Sequence, residues 1–165
     1  NFFRKKMITF LEKELDTTHN IVIVADSKNN KVKNELHSRF PWAINLRPEK
    51  FDYIIPELID SLLLDSIPNK IILETQSFPL IASALSQFSA QNNEFRDVQV
   101  FTTYRSNVYN NDNLSRKSLG GIRFTYPSGS KPLDETIGNK FVDDFVLNYG
   151  KPPNHNALRL SLIHI

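Results

Sequence analysis

The chain has 165 residues, 40% hydrophobic and 23% charged, enough for one domain with a real core and too apolar for disorder to be the default. Its 20 basic and 18 acidic residues leave a formal charge of +2, and apart from Arg4-Lys5-Lys6 the cations are scattered. That distribution argues against a nucleic-acid footprint, which needs a concentrated basic face. The absence of cysteine excludes a disulfide framework and a thiolate metal site.

In chain order, Met7, Phe10, Leu11 and Leu15 recur at helical spacing. The unbroken run Ile21-Val22-Ile23-Val24 comes next, with no polar alternation, and predicts a strand buried on both faces. Val32, Leu36 and Phe40, spaced by four, predict a second helix, and Trp42 to Leu46 a short strand. Leu58, Ile59, Leu62 and Leu63 form the next apolar helical face; its start is placed near Asp52 as a cap, with Pro56 tolerated only in the first turn. Ile71-Ile72-Leu73 is the third strand. Ser77, Phe78 and Pro79 open a helix carrying Ile81, Leu85 and Phe88, and Val98 to Phe101 is the fourth strand.

Residues 103–119, rich in Asn, Ser and Arg without a sustained period, read as a long loop. Gly121 to Tyr126 reads as a fifth strand and Pro127 to Pro132 as a turn-rich connector. A last helix is expected from about Asp134, with Ile137, Phe141, Phe145 and Tyr149 at four-residue spacing and Gly150 and Pro152 as its stop. Continuous apolar strands alternating with amphipathic helices predict an α/β fold, an open parallel sheet flanked by helices.

Chemistry-bearing motifs are few. Ser128-Gly129-Ser130 lacks the spacing of a nucleophile elbow and reads as a turn. Gly120-Gly121 without a third glycine is a poor dinucleotide signature, better read as a bend before a strand. His19, His37, His155 and His164 lack the i, i+4 pairing of a zinc helix. Asp143 and Asp144 point about 100° apart on a helix and read as a solvated face. Neither a catalytic residue, a metal nor a cofactor is therefore expected, and no enzyme.

What remains is position, since open parallel sheets bind ligands beyond the carboxyl ends of their strands. This selects Asp26, Ser27 and Asn29 after the first strand, Glu74, Thr75, Gln76 and Ser77 after the third, and Thr103, Tyr104 and Arg105 after the fourth. Of these, Asp26, Ser27, Gln76, Ser77, Tyr104 and Arg105 are the candidate ligand-binding residues. Asp26 or Glu74 would meet a ligand ammonium, Arg105 a carboxylate, and Tyr104 would stack or donate a hydrogen bond. Asp26 and Ser77 are equally good helix caps, and Arg105 reads equally well as a solvated loop residue.

The order of elements, with Gly121 to Phe124 as a Gly-x-x-Phe motif and Tyr149-Gly150-Lys151-Pro152-Pro153 as an ending, resembles the type I periplasmic-binding-protein family, the leucine-binding and related amino-acid receptors of ABC transporters. The likeness spans residues 5–158. It implies that residues 1–126 are the second lobe of a two-lobed receptor and that residues 127–159 are a hinge and a helix returning to a first lobe encoded upstream. It further implies a small polar, amino-acid-like ligand between the lobes, a periplasmic or cell-envelope location, and a membrane association only through an upstream anchor or a permease partner. Family members fused to LysM peptidoglycan-binding repeats suggest the alternative of an interaction or regulatory module with a peptidoglycan-associated partner and no transported ligand. The chain departs from the family after Ala157-Leu158-Arg159, so residues 160–165 are expected to be a non-native tail.

Overall fold

The structure, a computed structural model, describes residues 2–49, 53–127 and 147–148. Most of the expected final helix, the Tyr-Gly-x-x-Pro ending, most of the hinge, and the 160–165 tail lie outside the described residues, as does Asp52; of that helix only residues 147–148 are described, and they are helical. By its contacts the chain divides into two units, Asn1–Gly129 and Ser130–Ile165, and the sheet belongs to the first.

The first unit runs α1 (Phe2–Glu14), β1 (Asn20–Ala25), α2 (Asn30–Arg39), β2 (Ile44–Leu46), α3 (Pro56–Leu62), β3 (Asn69–Glu74), α4 (Phe78–Gln91), β4 (Val98–Phe101) and α5 (Arg116–Gly121). The four strands form one sheet in the order β2-β1-β3-β4, every neighbouring pair parallel. The expected parallel α/β sheet is the observed one. Val22 pairs with Ile44 on one side and Ile71 on the other, and Asn69 pairs with Val98, so β1 and β3 are the interior strands.

Burial on both faces explains the unbroken apolar runs. Ile21, Ile23, Ile72 and Phe101 pack with Met7, Ile8 and Leu11 of α1 and Val32 and Leu36 of α2. The alternate residues Val22, Val24, Ile71, Leu73 and Val100 pack with Ile59 of α3 and Leu80, Ile81, Leu85 and Phe88 of α4. A strand's side chains alternate between faces, so each interior strand supplies both cores. Along α1, Ile8 takes the buried place expected of Phe10, which faces solvent.

Helix α3 begins at Pro56 rather than near Asp52, because Pro at the first helical position has no N–H to leave unbonded and a preset φ. The expected long loop at 103–119 contains a 3₁₀ turn, Asn107–Asn110, and helix α5. Local caps build both: the Ser106 hydroxyl accepts from the Val108 N–H and the Ser115 hydroxyl from the Ser118 N–H. The core then captures Tyr109, Leu114 and Ile122 at irregular intervals, which hides the period.

The expected fifth strand at Gly121–Tyr126 is also corrected. Gly121 ends α5, and the segment after it touches β4 only briefly, with Val100 N–H donating to Ile122 O and an isolated bridge from Thr125 to Phe101. The helix closes in a Schellman motif, with Arg123 N–H donating to Gly120 O and Phe124 N–H to Leu119 O. The left-handed residue of that motif is Arg123, at φ 47°, so the chain turns before it can run along β4.

Candidate functional site

A parallel sheet ordered β2-β1-β3-β4 has one point where the connections diverge. From β1 the chain crosses over α2, on the face shared with α1. From β3 it crosses over α4, on the opposite face. The crevice between the carboxyl ends of β1 and β3 is the position where open α/β sheets take ligands.

Asp26 stands at one side of this crevice and Thr75 at the other. One Asp26 oxygen, Oδ1, accepts from the backbone N–H groups of Lys28 (2.9 Å) and Asn29 (3.1 Å) and from Asn29 Nδ2 (2.8 Å), capping a 3₁₀ turn at Ser27–Asn29. The other, Oδ2, accepts from the Thr75 hydroxyl at 2.6 Å, and Thr75 Oγ1 accepts from the Ser77 N–H at 3.0 Å. A continuous hydrogen-bonded chain thus runs from the start of α4 to the end of β1. It welds the two loops of the crevice, and Asp26 is a cap and a brace.

Glu74, the last residue of β3, is fully buried. Its Oε1 accepts from the Thr103 N–H at 2.8 Å, and its Oε2 lies 3.6 Å from Arg4 Nη2. Arg4 also donates from Nε to Thr103 Oγ1 at 3.1 Å, so α1, β3 and the segment after β4 meet at one charged point. Burial holds the Glu74 carboxyl above its ordinary range; the Thr103 hydrogen bonds and the Arg4 charge oppose this without cancelling it. Beyond the ion pair, Glu74 Oε2 has no hydrogen-bond partner among the described residues, and neither has the Tyr104 hydroxyl.

Tyr104 is buried and packs against Tyr109 with ring centroids 5.8 Å apart. Burial pushes its phenol up to about 12. Arg105 is exposed, and its guanidinium carbon lies 5.8 Å from the centroid of the Phe3 ring, a cation–π distance. Ser27 and Gln76 are exposed, and Ser77 is half-buried at the N-cap of α4, where its side chain makes no capping bond.

The structure therefore sets Asp26, Ser27, Gln76, Ser77, Tyr104 and Arg105 along the carboxyl edge of one sheet, with different side-chain roles. Ser27, Gln76 and Arg105 present polar groups to solvent, whereas Asp26 and Tyr104 organise the edge from within. Arg4 lies outside any reading based on strand ends because it precedes the first strand, 70 positions from its partner Glu74. Its only sequence signal is the Arg-Lys-Lys run.

The rim can hold small polar groups but offers no proton-transfer pair among the described residues. Both Asp26 oxygens are engaged, and Glu74 is sealed from solvent. Among the described residues no cluster of His, Asp or Glu has metal-holding geometry, and no helix is long and apolar enough to cross a membrane. In comparisons with known proteins the chain matches no family model, no curated protein and no solved structure.

Proposed function

We propose that the first unit is one lobe of a non-enzymatic solute-binding protein of a bacterial envelope, taking a small polar, amino-acid-like ligand at the carboxyl edge of its sheet. In this reading a second lobe closes over the rim, and residues 127–159 connect the two. The observation that carries the reading is the braced crevice between β1 and β3, where Asp26 and Thr75 join at 2.6 Å. Around it Ser27, Gln76 and Arg105 stand exposed. Rigid loops with exposed polar tips bind at low ordering cost. Arg105 meets the ligand carboxylate, while Gln76 and Ser77 meet its polar groups at the start of α4.

One lobe makes only part of the contacts, so affinity on the order of millimolar is expected for the chain alone. Heteronuclear NMR titration of the 165-residue chain with individual amino acids tests this. Shifts confined to residues 26–29, 75–78 and 103–106, weakened about tenfold in Arg105→Ala, are the expected result. Shifts elsewhere, or none with any small polar solute, would defeat it. The alternative, an interaction module of a peptidoglycan-associated envelope protein, draws on Trp42 and Ile44, 40% and 39% exposed beside the outer edge of the sheet. It predicts that peptidoglycan fragments or a wall protein, and no amino acid, perturb the Trp42 indole.

A further inference from the structure

We propose that the outward face of α1 docks on an anionic phospholipid surface. The helix has two unlike stripes. Arg4, Met7, Ile8 and Leu11 turn inward to the sheet and the Glu74 cluster. Phe2, Lys5, Lys6, Thr9, Phe10 and Lys13 fall at i, i+3, i+4, i+7, i+8 and i+11, one continuous face, and together line a shallow open groove of about 430 Å³.

Three properties of that face point to a bilayer. First, it carries no carboxylate: the acidic residues of α1, Glu12 and Glu14, lie on its flanks, and Glu12 is held by Arg39 at 2.8 Å. Among the described residues none of Lys5, Lys6 and Lys13 has a carboxylate partner, so three positive charges stand free on one 13-residue helix. Second, Phe2 and Phe10 are 65% and 41% exposed within the same stripe, large apolar side chains placed among the cations. Lys6 Nζ rests 4.5 Å over the Phe2 ring, so charge and aromatic surface adjoin. Third, the face is about 20 Å long and open rather than a cleft. Lysines that reach phosphates while phenylalanines enter the headgroup boundary match the chemistry of an anionic membrane interface. A nucleic-acid strand would call for more cations than these three.

This surface lies opposite the helix face that carries Arg4, and it meets the proposed ligand rim through Phe3, whose ring packs against Phe2 and under the Arg105 guanidinium. Co-sedimentation of the full 165-residue chain with vesicles tests it, comparing pure phosphatidylcholine with a mixture containing phosphatidylglycerol. Partitioning into the anionic vesicles, and its loss in high salt, are expected. Each lysine near such a surface contributes roughly fivefold, so the triple substitution Lys5→Glu, Lys6→Glu, Lys13→Glu should lower partitioning by at least about 100-fold. Phe2→Ser with Phe10→Ser should lower it by about tenfold, since apolar area enters the interface. All these positions are exposed, and an unchanged circular dichroism spectrum establishes that the variants fold. Equal binding to neutral and anionic vesicles, no binding, or a triple variant that still binds would overturn the proposal. So would binding to a single-stranded oligonucleotide, lost in the triple variant, with no vesicle binding.

Discussion

Glu74→Gln separates the cost of burying a charge from the value of its partners. Glu74 is fully buried, with the Thr103 N–H at 2.8 Å on one oxygen and Arg4 at 3.6 Å from the other, a distance too long for a hydrogen bond. Its pKa is raised, which means that the folded state binds a proton there more tightly than the unfolded chain does. The stability Glu74 contributes is therefore fully present below its ordinary value of 4.5 and is lost as pH rises through the raised folded value. A glutamine in its place would be neutral at every pH, would keep the bond from Thr103, and would forgo the ion pair. Since desolvation outweighs both partners in the ionised form, a neutral side chain is favoured where Glu74 would be charged, and a gain on the order of 1 kcal/mol is expected at pH 8 and none at pH 4. For a unit of this size that is a rise of roughly 3–5 °C in Tm.

The contrasting substitution, Arg4→Met, removes the counter-charge and leaves the buried carboxylate alone. Breaking a buried pair costs about 3–5 kcal/mol when the orphaned charge stays ionised. Protonation of Glu74 caps that loss, and the partial exposure of Arg4 reduces it further, so about 1–2 kcal/mol at pH 8 is expected and less at pH 5. Urea denaturation of the wild type and both variants at pH 4, 5 and 8 reads these effects. A Glu74→Gln protein that is less stable than wild type by about 2 kcal/mol or more at pH 8, with an unchanged pH dependence, would show that partners outweigh desolvation and would refute the argument.

Other contacts make equally specific demands. Thr75→Val should cost about 1–2 kcal/mol by urea denaturation, because it strips the brace from Asp26 Oδ2 and the acceptor from the Ser77 N–H. Asn69→Ala should cost roughly 3 kcal/mol, since this buried amide bonds Leu64 N–H and carbonyl, Asn20 and the Ile67 and Asp97 carbonyls; a loss below about 1 kcal/mol would mean that water replaces them. Tyr104→Phe should leave stability within about 0.5 kcal/mol, because the lost hydroxyl has no partner among the described residues, and ultraviolet titration should lose one phenol ionising near 12. Arg123→Gly places glycine at the left-handed residue of the Schellman motif but gives up the exposed Arg123–Asp97 pair, so thermal melts should show a net gain of less than about 1 kcal/mol, larger in high salt, where the pair is screened.

Much of the sheet is legible without any tertiary structure. Ile21 to Val24 and Ile71 to Leu73 are apolar on both strand faces, and only a strand covered twice accepts that pattern, so parallel pairing with helices on both sides follows from local chemistry. The four-residue spacing of Val32, Leu36 and Phe40 marks one buried helical face for the same reason. Position on the sheet also locates the carboxyl-edge loops. Side-chain roles there depend on groups far apart in sequence. Nothing near Asp26 announces that Thr75 closes on it across 49 positions, and nothing near Glu74 announces Arg4. Segment 103–124 is illegible for a related reason: Tyr109, Leu114 and Ile122 follow no single period, and the core selects them one at a time through a 3₁₀ turn and a short capped helix. Periodicity reports what a regular element does along its own axis. The strand order β2-β1-β3-β4, the crevice it opens and the burial of Glu74 arise between elements, where long-range packing decides.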